Sequence, residues 1–414
     1  MLLAAVRKIS KLLPSSFRRR TLPIFLARVA GKVLVPRRKI RNGPITVAGL
    51  IQSSIGLGES SRLFLSAFRE IGCATTFANL GHAFYWHNDF PLPVGEPATF
   101  GEGGTLLINM NPIELALSIP TLWKMGLIRH KRIVGCWAWE LETIPRDWLV
   151  GFKLVDEIWA PSQFVADAIK PYTTLPVRIV HYPVREPVVG NYDRVHFGLP
   201  KNAFVVLNVF NMRSSVERKN PIGAIRAFKE AFGCQADALL LVKMLNAAEF
   251  LEERLKLETE VKGHDNIRLV YDSFDPARQG ALLNCADVVM SLHRSEGFGL
   301  VLAEAMRLGK PVIATGYSGN LDFMTADNSI LIGYKMIPVR CSQRIYKVES
   351  LIEPARWADP DIYEAAQWLR KLRNDRSLCR TIGDQAKQAS EQLFGLSQFR
   401  RSVIYLDQPT VSES

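Results

Sequence analysis

The stretch from Val288 to Asp322, VVMSLHRSEGFGLVLAEAMRLGKPVIATGYSGNLD, constrains the fold of this chain more than any other. Val288 to Leu292 is a short apolar run, the pattern of a buried strand. Gly297 and Gly299 bracket Phe298 and allow a tight turn with close backbone approach. Leu300 to Leu308 is apolar except for Glu304 and Arg307, which predicts a helix. Gly309, Lys310 and Pro311 stop that helix, and Pro311 to Thr315 reads as the next strand. Such a unit aims a helix N-terminus, with its unpaired amides and partial positive charge, beyond the strand ends. A phosphate suits that position.

Two carboxylates flank the turn. Glu296 precedes it and Glu304 sits in the second turn of the helix. A buried carboxylate is costly unless paired, and Glu304 lies among Val301, Leu302, Ala303, Ala305 and Met306. Two partners are open for it. One is Arg307, three residues on, as an intrahelical ion pair. The other is a ligand with vicinal hydroxyls, such as a ribose.

A second motif runs from Asn211 to Pro221, NMRSSVERKNP, between a strand and a helix start. Arg213, Arg218 and Lys219 give it three cations, and Pro221 suits the first helical turn. Cations at the C-terminal edge of a strand suit a diphosphate. A solvated basic loop partly balanced by Glu217 is the alternative.

At 414 residues the chain is long enough for two domains. Its net charge of +12 is confined to one end, because twelve Lys and Arg precede the first acid, Glu59. The rest then carries 52 − 12 = 40 bases against 40 acids. A neutral body argues against nucleic-acid binding by the folded domains. Leu2, Leu3, Val6, Ile9, Leu12 and Leu13 recur at helical spacing within the basic arm, residues 1–42. Three readings of the arm stand: contact with an anionic membrane surface, an organelle transit segment, or a leader without a role. No apolar run is long enough for a membrane span. The six cysteines, at 73, 136, 234, 285, 341 and 379, form no C-x-x-C pair. That predicts reduced core thiols, not disulfides or a zinc site. The expected location is cytoplasmic, with peripheral contact to the inner face of the plasma membrane through the arm.

Between the arm and the tail, short apolar runs alternate with helical patterns. Strands are predicted at 45–50, 106–109, 132–136, 157–160 and 177–181, then at 204–209, 239–244 and 267–271. Helices are predicted at 59–71, 221–232, 250–261 and 276–284. This alternation argues for parallel sheets with helices on both faces. The expected boundaries are an N-terminal domain at 43–185, a linker at 186–200, a second domain at 201–385, and a terminal helix with tail at 386–414. Asp359-Pro360-Asp361 resembles an acidic metal pair, but Asp359 as N-cap and Pro360 at the first helical position account for it. No metal site is expected.

In the first domain, Gly56 and Gly58 follow a strand, where a plain strand-to-helix turn is the default reading. Trp139 and Glu140 follow the strand ending at Cys136. Either they meet a sugar acceptor at the sheet's C-terminal edge, or the tryptophans belong to the core.

Glu296 and Glu304 form an E-x7-E pattern in SEGFGLVLAEAM, followed by PVIATGYSGNLDFM. Arg213 and Lys219 stand six residues apart upstream. Together these motifs resemble the retaining glycosyltransferases of family 4, in a bacterial polysaccharide-type subgroup. The resemblance implies an α/β GT-B fold, two doubly wound Rossmann-like domains facing across a cleft. It implies transfer of a hexose from a GDP- or UDP-linked sugar, with retention and without a metal or other cofactor. The implied acceptor is a glycan or lipid-linked glycan of cell-surface polysaccharide or lipopolysaccharide. In that scheme Arg213, Lys219 and Glu296 are catalytic. Arg213 and Lys219 hold the diphosphate, Glu296 faces the donor sugar and Glu304 holds the ribose. Gly297, Phe298, Gly299 and Leu300 meet the diphosphate through backbone, and the Gly58 loop lines the phosphates. Many family members carry a His near the end of the strand that here ends at Cys136, and this sequence has none there. The acceptor-side residue is therefore open, with Glu140 as candidate. Two rival functions remain: a glycoside hydrolase using the paired carboxylates, and a catalytically silent partner module.

Overall fold

A computed structural model of the chain describes residues 40–81, 89–95, 97–98, 101, 103–341 and 346–407. The expectation of a membrane-binding arm at 1–42 lies almost wholly outside the described residues. No helix among the described residues is long and apolar enough to cross a membrane.

The chain forms two compact units. One contains the residues up to Pro183 together with Ser350–Glu353 and the segment from Leu396; the other contains Val184–Glu349 and Pro354–Gly395. In the first unit, β1 (Ile45–Gly49), β2 (Thr75–Asn79), β3 (Thr105–Asn109), β4 (Arg132–Cys136), β5 (Glu157–Ala160) and β6 (Val177–Ile179) make one sheet. Its order is β2-β1-β3-β4-β5-β6, and every pairing is parallel. In the second unit, β7 (Phe204–Asn211), β8 (Ala238–Leu245), β9 (Ile267–Val270), β10 (Val288–Ser291), β11 (Val312–Thr315) and β12 (Ile330–Ile332) order as β12-β11-β10-β7-β8-β9, again all parallel. Central strands such as β1, β3 and β11 are buried along their whole length. That explains their unbroken apolar runs, because parallel sheets are covered on both faces.

The helix after β1 begins at Gly56, not at Glu59. The Ile55 carbonyl accepts from the amides of Gly58 and Glu59 at 2.9 and 3.0 Å, so the Gly-rich segment is already wound. A Cβ on Gly58 would stand 2.2 Å from the Ser53 carbonyl oxygen, which is why glycine sits there. Three elements carry no clear sequence mark. The half-buried strand β2 is short, the helix Pro112–Lys124 contains Pro120, and Arg146–Lys153 is a 3-10 helix.

Asp359 is not a helix cap. It lies with Pro360 in β14 (Arg356–Pro360), which pairs antiparallel with β13 (Tyr334–Pro338). The cap is Asp361, whose Oδ1 accepts from the amides of Tyr363 and Glu364 at 2.9 and 3.0 Å. A residue before proline favours extended backbone, which keeps Asp359 in the strand.

The tail is two helices broken at Gly395. Asp375 caps Arg376–Phe394, and Leu396–Val403 joins the first unit. There the Phe399 ring packs 6.0 Å from Phe64 and 5.1 Å from Phe68. The Tyr405 hydroxyl donates to Glu157 and accepts from Trp159 Nε1 at 2.8 Å.

Candidate active site

In the second unit the chain runs outward from β7 through β8 to β9, then returns to place β10 on the other side of β7. The crevice beyond the carboxyl ends of strands at such a reversal is where open α/β sheets bind ligands. The loops leaving β7 and β10 carry the two sequence motifs.

Side chains shape the loop after β7. Asn211 Oδ1 accepts from the Arg213 amide at 3.0 Å and from Asn246 Nδ2 at 2.9 Å. Ser215 has a φ of 63°, and its Oγ accepts from the Arg218 amide at 3.2 Å, capping the single turn Val216–Lys219. Asn220 is left-handed, with φ 49° and ψ 50°. Its Oδ1 caps the helix Pro221–Phe232 at the Gly223 amide, and its Nδ2 donates to the Leu292 carbonyl at 2.8 Å. These bonds offset the left-handed backbone, which costs a non-glycine residue roughly 1–3 kcal/mol.

The loop after β10 is fixed from both sides. The Arg294 amide donates to the Arg218 carbonyl at 2.7 Å. Ser318 Oγ accepts from the Glu296 amide at 2.7 Å, and the Gly319 amide donates to the Glu296 carbonyl at 2.9 Å. A Cβ on Gly319 would stand 2.3 Å from the Gly297 carbonyl oxygen. Gly299, with a φ of 100°, starts the helix Leu300–Arg307. The amides of Leu300 and Val301 are in its first turn, where no intrahelical acceptor exists.

Glu296 is 7 % exposed. Lys219 Nζ pairs with its Oε1, and Arg218 Nη1 lies 3.1 Å from the same oxygen. Burial pushes the carboxyl up, but Lys219 and then Arg218 outweigh it and bring the group down to about 2. Behind it, the buried His293 bonds Asn320 Oδ1 through Nε2 at 3.1 Å. Burial pushes the His293 imidazole below its ordinary value. Asn320 Nδ2 in turn donates to the Thr315 carbonyl at 3.1 Å.

The structure thus brings Lys219 and Glu296 into contact. Arg213, on the same loop, forms a two-pronged pair with Glu249, its Nε 2.8 Å from Oε2. Glu304 is half-buried in the second turn of the helix after Gly299. The Phe298 ring is buried between Phe323 and Phe394, at 5.1 and 5.8 Å. Gly58, Trp139 and Glu140 belong to the first unit. The Trp139 ring is buried 4.8 Å from Trp148, and its indole N–H donates to the Thr143 carbonyl at 2.7 Å. Both faces of that residue's chemistry are engaged by its own core. Sequence reading named Arg218 only as one of three cations, and it gave His293, Ser318 and Asn320 no role. Their signal is the polar residue in an otherwise apolar strand-end setting. A separate cavity of about 360 Å³ opens beside Val216, Asn220, Arg294 and Asp359, and its lining excludes Lys219, Glu296 and Glu304.

Residues 200–395 match the model of a family described as family 4 glycosyltransferase in conflict systems (GT4-conflict). This chain carries a GT4-like glycosyltransferase domain of the GT-B fold. Solved structures agree on the fold. Anabaena HepE, crystallised with UDP and glucose, is 15 % identical over 87 % of this chain and 98 % of its own, with a TM-score of 0.61. Sucrose-phosphate synthase from Thermosynechococcus elongatus is 13 % identical over 88 % of this chain and 98 % of its own, with a TM-score of 0.64. A mutant of S. aureus TarM, in complex with fondaparinux, alpha-GlcNAc-glycerol and UDP, is 12 % identical over 74 % of this chain and 55 % of its own, at 0.53. A comparison with curated protein sequences gives no match. The GT4-like domain contains Arg213, Lys219, Glu296, Glu304 and the glycine turn between the two glutamates.

Proposed function

We propose that this glycosyltransferase moves a hexose from a nucleoside-diphosphate sugar to a glycan or lipid-linked acceptor with retention, without a metal. The observation that carries this reading is the meeting of Lys219 and Glu296 at the strand reversal, beside a glycine-initiated helix. As the donor bond breaks, negative charge grows on the leaving β-phosphate. Lys219 Nζ, the Arg213 guanidinium and the amides of Leu300 and Val301 stabilise it, which lowers the barrier because they are fixed before the reaction starts. Glu296 orients the sugar and Glu304 the ribose, an entropic contribution. Arg213 exchanges Glu249 for phosphate when the donor arrives.

HepE in complexes with UDP and with UDP-glucose supports UDP-sugars as the first donors to try, with GDP-sugars as the alternative. Fondaparinux and alpha-GlcNAc-glycerol on TarM support a carbohydrate acceptor. The polysaccharide or lipopolysaccharide role rests on the sequence motifs, and peripheral membrane contact on the basic arm. The deciding experiment incubates the purified chain with UDP- and GDP-sugars and a glycan array, then reads the new linkage by NMR. An α-linked product from an α-linked donor supports retention. Hydrolysis of a glycan without nucleotide sugar would instead establish a glycoside hydrolase.

A further inference from the structure

The site holds two cations against one buried carboxylate. Arg218 and Lys219 are consecutive, yet both reach Oε1 of Glu296. They differ in freedom. The Arg218 side chain is 3 % exposed and the Lys219 side chain 18 %. Arg218 Nη1 also donates to the Ser295 carbonyl at 2.7 Å, and its backbone is held at both ends by Ser215 and Arg294. Lys219 presents a compact charge on a flexible stem.

A diphosphate that recruits Lys219 must take it from Glu296. With Lys219 as sole partner, that exchange would strand a buried carboxylate, and such stranding is strongly unfavourable. A second, immobile cation removes the obstacle. We propose that Arg218 is the standing counter-ion of Glu296, which lets Lys219 exchange that carboxylate for a diphosphate oxygen. The inference rests on the reading of Lys219 as a donor ligand. Arg218 itself touches no substrate; it is a positioning residue that acts through Glu296 and Lys219. Its guanidinium suits this role because it stays charged at all relevant pH and reaches carbonyl and carboxylate together.

The test is calorimetric binding of UDP and of GDP to the full chain and to Arg218→Lys, Arg218→Gln, Glu296→Gln and the double variant R218Q/E296Q. Arg218→Gln should weaken nucleotide binding about tenfold or more, while Arg218→Lys stays within about threefold of wild type. In the Glu296→Gln background there is no carboxylate to hold Lys219, so Arg218→Gln should leave affinity unchanged. This second comparison removes both charges of the pair and does not depend on the single Arg218→Gln variant folding. A structural role alone would weaken binding equally in both backgrounds, and that result would overturn the proposal, as would unchanged affinity in Arg218→Gln. Wild-type protein that binds neither UDP nor GDP would overturn the donor reading of Lys219 itself.

Discussion

Lys219 and Glu296 are 77 positions apart in the chain and form one ion pair, linking the loop after β7 to the loop after β10. They meet because β10 returns to the flank of β7 after two strands have been laid on the other side. Two sequence motifs that look unrelated thereby come into direct contact at one edge of the sheet. A buried ion pair is weak evidence of stability in itself, since desolvation offsets the attraction. Its value here is registry: the pair fixes which atoms of the two loops face each other.

Lys219→Ala should slow transfer about a hundredfold, roughly 3 kcal/mol of lost transition-state stabilisation. It should also lower unfolding free energy by about 1–2 kcal/mol, because Glu296 then keeps one cation of two. Steady-state kinetics and urea unfolding measure the two effects. Wild-type turnover in this variant would reject the assignment of Lys219.

The Glu296 carboxyl is depressed from its ordinary 4.5 to about 2 in the folded chain. A depressed acid contributes stability above its unfolded value and loses it as pH falls through the folded one. The contribution, on the order of 3 kcal/mol, is therefore full above about pH 5 and gone near pH 2. Other carboxylates titrate in the same window, so the informative quantity is a difference. Stability-pH curves of wild type and Glu296→Gln should converge as pH falls; parallel curves would show that Glu296 is not held ionised.

Gly319→Ala adds a methyl where the Gly297 carbonyl oxygen stands 2.3 Å away. Backbone on both sides leaves no soft atom to yield. We expect about 1–3 kcal/mol of destabilisation and a donor KM raised by displacement of the Glu296 loop. A melting temperature equal to wild type would mean that the two segments separate easily.

Glu304→Gln separates the two partners open to that side chain. If it holds the donor, KM should rise with the melting temperature unchanged. A lowered melting temperature with unchanged KM would make it an intrahelical partner of Arg307 instead.

Tyr405→Phe removes the hydroxyl shared between Glu157 and Trp159. Leaving the buried Glu157 carboxylate short of a donor should cost about 1–3 kcal/mol. The loss should appear as weaker hydrogen-exchange protection of β4, β5 and β6, with β7 to β12 unaffected; protection equal to wild type throughout would contradict this role of Tyr405.

Much of the fold is legible from alternation alone. Val288 to Thr315 reads as strand, turn, helix and strand because Gly297 and Gly299 mark the turn and Gly309 and Pro311 divide the helix from the next strand, and the structure follows that reading closely. Legibility fails where one residue type serves two structures. Asp359-Pro360-Asp361 has the chemistry of a helix start, yet the pairing of β13 with β14 claims Asp359 and leaves Asp361 to cap. Gly56 and Gly58 look like a loop, while the need for close approach to Ser53 explains Gly58 inside a helix. The site shows the same division. Glu296, Lys219 and the glycine turn stand out in the sequence because charge and glycine are conspicuous there. Arg218, His293 and Asn320 do not, because their importance lies in long-range contacts that no spacing announces.

The helix Leu396–Val403, packed on the first unit, has a consequence for synthesis. Phe64 and Phe68 lie in the helix Gly56–Glu70 of the first unit, but the ring that packs on them, Phe399, follows more than 330 residues later in the chain. From Pro183, where the first unit's continuous chain ends, to Val403 there are 220 residues. At about 5–20 residues per second a ribosome needs roughly 10–40 s to make them. For that interval the nascent first unit shows an aromatic face with the helix Leu396–Val403 still unmade. Chaperones that hold apolar surface should bind nascent chains in this length range and release them once residue 403 clears the exit tunnel.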